Sequence, residues 1–264
     1  MTVASSQDAA STEFRLDPFQ HRGEYGVDGD FTRLPAGVHA LGVATFGIAM
    51  TSVALRSIAM GRPRLGAAVG AVGGLVMGAA ALYAYATRVG KFDIWAELLT
   101  ELGLRGDERL LDIGCGRGAV LLTAAKLLPW GRAVGVDLWR AQQTGNSAEV
   151  TLRNARLEGV AERVDVETAD MTRLPFPDAG FDVVVSSLAI HNIHGREGRR
   201  AAVGEAARVL RPGGRLVIAD LLFTGQYVEW LRELGMDEVR RRNLGPRLWF
   251  GGPWFSAHAV TAIR

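Results

Sequence analysis

A short apolar run ending in a glycine cluster, Leu110-Leu111-Asp112-Ile113-Gly114-Cys115-Gly116-Arg117-Gly118, is followed nineteen residues later by Asp137, at the end of Arg132-Ala133-Val134-Gly135-Val136-Asp137. Strand, glycine turn, helix, second strand and terminal carboxylate make the sequence form of a βαβ unit, which commits the chain to a parallel sheet with crossover helices. In such a unit the glycines let backbone approach a ligand and the second acid holds a ribose. Apolar runs continue the alternation at Val164 to Glu167, Phe181 to Ser186 and Arg215 to Asp220. An α/β, doubly wound sheet is the fold class they predict.

Gly114, Gly116 and Ala119 also fit a loose dinucleotide fingerprint, so spacing alone leaves a nicotinamide-linked oxidoreductase open. Charge separates the readings. A dinucleotide brings a pyrophosphate to the helix N-terminus, where amides and the helix dipole favour an anion. Asp112 would set a carboxylate beside those phosphates, whereas a cationic nucleoside is attracted by it.

Four landmarks in order resemble the class I S-adenosylmethionine-dependent methyltransferase family: Asp112-Ile113-Gly114-Cys115-Gly116-Arg117-Gly118; Val136-Asp137-Leu138; Ala169-Asp170-Met171 with Leu174-Pro175-Phe176-Pro177-Asp178 and Phe181-Asp182-Val183-Val184-Val185-Ser186-Ser187; and Arg208-Val209-Leu210-Arg211-Pro212-Gly213-Gly214. The resemblance covers Lys91 to Arg264. It implies a seven-stranded Rossmann-like sheet with S-adenosyl-L-methionine as cofactor, and a cofactor site of Asp112, Gly114, Cys115, Gly116, Gly118, Asp137, Leu138, Asp170, Met171 and Ser186. Within it Asp137 would hold the ribose hydroxyls, Leu138 the adenine ring and Asp170 the adenine amino group. His191, just past the fourth strand, is the expected catalytic base if the acceptor must lose a proton; a histidine bonded to backbone at a helix start is the other reading. His194 is the weaker candidate. No metal site is expected.

The lone cysteine, Cys115, excludes an internal disulfide and a multi-cysteine metal site. It also sets the chain apart from the arsenic methyltransferases, which bind substrate through several cysteines. Ser186-Ser187-Leu188-Ala189 stands where many methylases of amino groups in DNA and protein carry Asn-Pro-Pro-Tyr. Thirty basic residues against twenty-eight acidic ones leave a net charge of +2, and no nucleic-acid partner is expected. The acceptor expected is a small molecule or lipid.

Two stretches ahead of this domain, Gly37 to Leu55 and Leu65 to Thr87, carry no formal charge at neutral pH and show no polar stripe. A hydrocarbon core of about 30 Å takes about 20 apolar residues as helix, so each is long enough to span. The turn Gly61-Arg62-Pro63-Arg64 between them predicts a two-helix transmembrane hairpin over residues 36–90. Gly66, Gly70, Gly74 and Gly78 recur every four residues and make a face for close helix contact, with Ala40, Ala44 and Gly47 of the first segment or with a second copy in a homo-oligomer. The arginines of the turn oppose Arg33, Arg88 and Lys91 at the outer ends, so charge barely decides the topology. A cytosolic methyl donor places the 91–264 domain on the cytosolic face of the cytoplasmic membrane, with the turn beyond it. Residues 1–35 read as a flexible polar arm whose Phe14, Phe19, Tyr25 and Phe31 are able to cover the site. The aromatic stretch Arg247 to Phe255 has three readings: acceptor pocket, membrane interface or edge-sheet core.

These observations predict a membrane-anchored methyltransferase of a hydrophobic or membrane-resident small molecule, such as a quinone precursor or lipid. Methylation of a soluble metabolite, with the hairpin a mere anchor, stays open. So does a membrane interaction protein that binds the cofactor without turnover.

Overall fold

A computed structural model describes residues 20–29, 35–140 and 145–264. Seven strands form one sheet in the order β3-β2-β1-β4-β5-β7-β6. β1 (Arg109–Ile113), β2 (Arg132–Asp137), β3 (Val164–Thr168), β4 (Phe181–Ser187) and β5 (Leu210–Asp220) are parallel. β6 (Asp237–Asn243) and β7 (His258–Ile263) close one edge as an antiparallel pair, with β7 against β5. The doubly wound sheet expected from the apolar runs is thus present. The order reverses between β1 and β4, and it is at the carboxyl ends of strands beside such a switch point that open α/β sheets bind ligands.

Helices cover both faces because the central strands are apolar on both sides. α3 (Lys91–Glu101) and α4 (Ala119–Lys126) bury Ile94, Trp95, Leu98, Leu99, Leu121 and Leu122 against one face, where α5 (Ala148–Leu157) also lies. α6 (Arg196–Val209) and α7 (Thr224–Glu233) bury Val203, Ala206, Tyr227, Trp230 and Leu231 on the other. β5 begins earlier than the sequence pattern suggests, at Leu210, since Leu210 pairs with Phe181 before the Pro212-Gly213-Gly214 turn.

The front end is a hairpin of α1 (Ala36–Ala59) and α2 (Pro63–Tyr85), both long and apolar enough to cross a membrane, with 11% of each apolar window buried. Leu41, Ile48, Leu55 and Leu75 lie fully at the surface. The helices meet along a seam in which a Cβ on Gly66 would strike Ile58 and the Ala54 carbonyl, one on Gly73 would strike Met50, and one on Gly47 would strike Met77. This corrects the expected glycine face. Gly66 and Gly70 do turn toward α1, but Gly74 and Gly78 meet nothing, Gly73 takes their place, and Ala40 and Ala44 lie exposed. The cause is spacing: a seam between two helices follows alternating steps of three and four residues, whereas steps of four alone drift off it.

α2 does not stop at the domain. A π turn, Ala86–Gly90, carries it into α3, giving one helical run of 39 residues from Pro63 to Glu101 that crosses the expected 90/91 boundary. Gly90 is needed there, because a Cβ would lie 1.8 Å from the Arg247 carbonyl oxygen.

Of the segment read as a flexible arm, residues 20–29 are docked on the domain. The amides of Arg22 and Gly23 donate to Glu158 Oε1 at 2.7 and 2.8 Å, and the buried Tyr25 hydroxyl donates to the same oxygen at 2.7 Å. Glu24 and Asn154 exchange two hydrogen bonds. Glu158 is itself paired with Lys126 at 2.7 Å, both side chains buried. Phe14, Phe19 and Phe31 lie outside the described residues.

Candidate active site

A cleft of about 310 Å³ opens at the carboxyl ends of β1, β2 and β4. Its floor is the glycine turn. Gly114, Gly116 and Gly118 have φ of +77°, +50° and +87°, backbone that side chains with a Cβ rarely adopt. At Gly114 close approach adds to this, since a Cβ would sit 2.3 Å from that of Ala189 across the cleft. The turn folds back on β2: the Gly114 and Cys115 amides donate to the Val136 carbonyl at 2.8 and 3.1 Å, and the Gly116 amide donates to Asp137 Oδ2 at 2.9 Å. The Gly118 amide donates to the Cys115 carbonyl. From outside, Thr151 and Asn154 of α5 hold the Gly116 and Arg117 carbonyls at 2.6 and 2.9 Å.

This pattern bears on which ligand fits. An anion-binding turn offers free amides, and these four are engaged within the protein. Meanwhile Asp112, a cleft-lining residue, is 1% exposed and its Oδ1 has no hydrogen-bond partner. Burial, with the charge of Asp137 nearby and one opposing backbone amide, pushes its carboxyl up to about 8. A buried acceptor without a donor is costly, and a ligand with a positively charged, hydrogen-bond-donating group relieves the cost. The donor set therefore fits S-adenosylmethionine, with its ammonium and sulfonium.

The other predicted residues divide. Cys115, Gly116, Asp137, Leu138, Asp170 and Met171 line the cleft with Asp112 and Gly114. Asp137 is fixed by the Gly116 and Trp139 amides, and burial raises its carboxyl against their pull. Asp170 is exposed and held below the usual carboxylate range by the amide and hydroxyl of Thr172. Burial pushes the Cys115 thiol well up, which suits packing and not thiolate chemistry. Two of the expected residues lie off the cleft lining. Gly118 is not in the lining; it is the left-handed residue that starts α4, packed on Leu122 and Thr151. Ser186 is buried with its hydroxyl donated to the Ile113 carbonyl at 2.8 Å, so it ties β4 to β1. Its neighbour Ser187 lines the cleft instead and accepts from Trp95 Nε1 at 2.9 Å. Successive strand residues face opposite sides, so moving the contact by one residue exchanges the two roles.

His191 stands beside the lining, which is made by Leu188, Ala189, Asn192, Ile193 and His194 around it. Its Nδ1 faces Asp220 Oδ1 in a short contact, and its amide donates to Asp220 Oδ2 at 3.0 Å. Asp220, fully buried at the end of β5, also accepts from the Tyr227 hydroxyl at 3.1 Å and the Leu221 amide at 2.9 Å. The carboxylate fixes the imidazole's orientation and leaves Nε2 as the ring nitrogen free of that contact. Asp220 was not anticipated, although its place at a strand's carboxyl end was a readable signal.

The far wall holds Asp28 and Lys91. Lys91 Nζ donates to both Asp28 oxygens, at 2.9 and 3.1 Å, and its side chain is 4% exposed. Arg140, Asn146 and Thr172 complete the rim. Nothing in the sequence marked Asp28 or Lys91, whose pairing depends on the docked 20–29 segment. The Arg247 to Phe255 stretch contributes no residue to the cleft. Leu248 is core, while Trp254 and Phe255 are exposed. Among the described residues no group of three or more His, Cys, Asp or Glu side chains is placed to hold a metal.

Residues 111–218 match the model of a methyltransferase domain. The chain is 39% identical over 125 residues to 27-O-demethylrifamycin SV methyltransferase of Amycolatopsis mediterranei, covering 46% of this chain and 41% of that protein. It is 33% identical over 135 residues to the ubiquinone/menaquinone biosynthesis C-methyltransferase UbiE of Pseudomonas putida, covering 50% and 49%. The chain thus spans under half the length of either relative. A SAM-dependent methyltransferase from Aquifex aeolicus superposes with a TM-score of 0.52 at 19% identity, over 64% of this chain and 88% of that one. Residues 111–218 are thus similar to a methyltransferase domain, and the sheet built around them has the fold seen in an S-adenosylmethionine-dependent methyltransferase.

Proposed function

We propose that the chain is an S-adenosylmethionine-dependent methyltransferase, held on a membrane by its α1–α2 hairpin and acting on a hydrophobic or membrane-resident small molecule. The observation that carries the donor half is the buried, unpartnered Asp112 oxygen in the cleft, above a glycine turn whose amides are already engaged. Asp112, Gly114, Gly116, Asp137, Leu138, Asp170 and Met171 would hold the donor. Bound there, it supplies a methyl group on a sulfonium, already activated for in-line displacement.

The protein's share is alignment, exclusion of water and disposal of a proton. Held by Asp112 and Asp137, the donor would supply its methyl group to the acceptor atom, the bonding pair staying with its sulfur. For a hydroxyl or carbon acid the released proton goes to His191 Nε2, the imidazole held by Asp220.

Support for the acceptor class comes from placement. Lys91, in the cleft wall, is the first residue of α3, and α3 continues α2 without a break. The cleft therefore lies at the point where the apolar hairpin meets the domain. Two helices with this much exposed aliphatic surface suit lipid and not water. The relatives named for 27-O-demethylrifamycin SV and for ubiquinone/menaquinone biosynthesis support a small-molecule acceptor. Gly74 and Gly78, open on α2, are the half of the glycine face left for a second copy.

Methyl-labelled donor incubated with the protein in native membrane extract tests the reading. Label in the organic phase is expected. Label confined to the aqueous phase would move the acceptor to the soluble metabolites, and donor binding without any transfer would leave a non-catalytic cofactor-binding protein.

A further inference from the structure

The aromatic stretch between β6 and β7 is absent from the cleft yet exposes its largest side chains. Trp254 is 72% and Phe255 52% exposed, side by side in the short 3-10 turn Pro253–Phe255. The loop is not slack. Trp249 bridges Ser256, Phe250 N donates to the Phe255 carbonyl at 3.0 Å, Phe255 N donates to the Gly252 carbonyl at 3.1 Å, and Leu248 is buried beneath. A rigid turn holding two large aromatics in solvent is a surface looking for a partner.

Its position says which. The Phe250 ring meets the Tyr83 ring edge-on at 6.0 Å, and the Arg247 carbonyl sits against Gly90 so closely that no side chain fits between. Arg247 is also paired with Glu97 of α3 at 2.5 Å. The loop is thus pinned to the last turn of α2 and the π turn after it. Counting from Leu65, about 20 residues of α2 at about 1.5 Å each fill about 30 Å of hydrocarbon, which puts Tyr83 at its boundary. Tryptophan and tyrosine prefer this level, with the ring body in the acyl region and the N–H or O–H in the wet headgroup layer. Tyr85 and Val89, exposed beside the loop, share it.

We infer that the Gly245–Ser256 loop is a second membrane contact of this protein, seating Trp254 and Phe255 in the headgroup layer of the leaflet from which α2 emerges. The hairpin alone fixes the domain's distance from the bilayer; the loop fixes its tilt, and with it the direction in which the Lys91 end of the cleft faces. This rests on the membrane reading of the hairpin.

The test uses the full chain reconstituted in phosphatidylcholine–phosphatidylglycerol vesicles, with Trp254→Cys or Phe255→Cys carrying an environment-sensitive fluorophore. Unsubstituted protein measures any background from the buried Cys115. Leu75→Cys, mid-hairpin, and Trp130→Cys, 80% exposed in the loop between α4 and β2, are the references. Blue-shifted emission at 254 and 255 is expected, with quenching by shallow spin-labelled lipid and loss of the iodide quenching seen at 130. Iodide quenching at 254 and 255 as strong as at 130, with Leu75 quenched by deep spin label, would overturn the loop contact and leave the anchor standing. Iodide quenching at 75 as well would overturn both. Shielding of 254 and 255 from iodide and from every lipid quencher would also overturn it, in favour of a protein covering the loop.

Discussion

At the scale of the residue, Asp112 is the side chain proposed to select what the cleft receives. Burial raises its carboxyl to about 8, so it is largely protonated at neutral pH until a cation arrives. In the ligand-free protein a folded-state value above the unfolded one near 3.8 means that the folded state binds the extra proton. Its contribution to stability is therefore present in acid and is lost as pH rises from about 4 to about 8. Donor binding runs the other way, since the cation pairs with the ionised form. Affinity for S-adenosylmethionine should climb about tenfold per pH unit between 6 and 7 and level off above about 8, with a proton released on binding. Calorimetry in buffers of different ionisation enthalpy reads that proton. Asp112→Asn should flatten the profile and weaken binding; an unchanged slope would place the titrating group elsewhere. His191 is tested separately. His191→Ala should lower turnover by about 100-fold or more, as expected for a lost general base, while leaving donor affinity untouched. The places of Asp112, Gly114 and Asp137 in the cleft were legible because they fall together at the carboxyl ends of neighbouring parallel strands, although each taken singly has other uses. Ser186 and Ser187 were not separable, because strand alternation is set by the neighbours across β4, and the sequence does not carry that register. For His191, position was readable but not the direction of its ring, which Asp220 sets from 29 residues away.

Among the elements, the parallel strands were visible because each is a short apolar run ending where a ligand-binding acid or serine begins. The docked 20–29 segment was not. It has no periodicity of its own, and what holds it is Glu158, more than 130 residues distant. Burial by itself would raise the Glu158 carboxyl, but Lys126, the Tyr25 hydroxyl and the amides of Gly23 and Arg22 hold it below the usual range. A depressed value means that the stabilisation is present above the ordinary carboxylate range and fades as pH falls through the lowered one. The segment should therefore stay docked at neutral pH and release in acid. Glu158→Ala leaves Lys126 buried without its partner and should cost about 3–5 kcal/mol. Amide exchange at residues 22–25 should then approach the unprotected rate at neutral pH; retained protection would show that Asn154 and the ring contacts suffice. The π turn was equally hidden, because Ala86–Gly90 reads as ordinary helix, and its packing of Gly90 on the Arg247 carbonyl joins residues far apart in the chain. Inserting an alanine after Ala84, in the regular helix of α2, should turn the hairpin by about 100° relative to α3. Tyr83, whose hydroxyl donates to the Asp28 carbonyl, would then leave that contact and the Phe250 ring, and exchange at the Asp28 segment should rise while the sheet stays protected.

For the molecule as a whole, the hairpin and the cleft constrain each other. In the proposed arrangement both ends of a spanning α1–α2 pair emerge on one side, and a 91–264 domain that meets a donor made in the cytosol would put the turn at residues 61–64 on the opposite face. That turn carries Arg62 and Arg64, with Arg56 in the last turn of α1, against the usual bias of basic residues toward the cytoplasm. The topology thus rests on catalysis and not on charge, which makes it a sharp test. A cysteine at Met60, 62% exposed beside the turn, should react with a membrane-impermeant maleimide on intact cells. One at the exposed Trp130 should react only after the membrane is opened. Reversed labelling would put the cleft on the side without donor and end the catalytic reading. Labelling of neither site in intact cells, with both reached on opening, would mean that the hairpin lies in one leaflet. A third substitution settles whether it spans at all: Val72→Arg, mid-helix and away from the α1 seam, should cost about 2.5–3.5 kcal/mol in insertion. A spanning hairpin then loses membrane-bound protein, whereas one lying at the interface swings the arginine into water and keeps it.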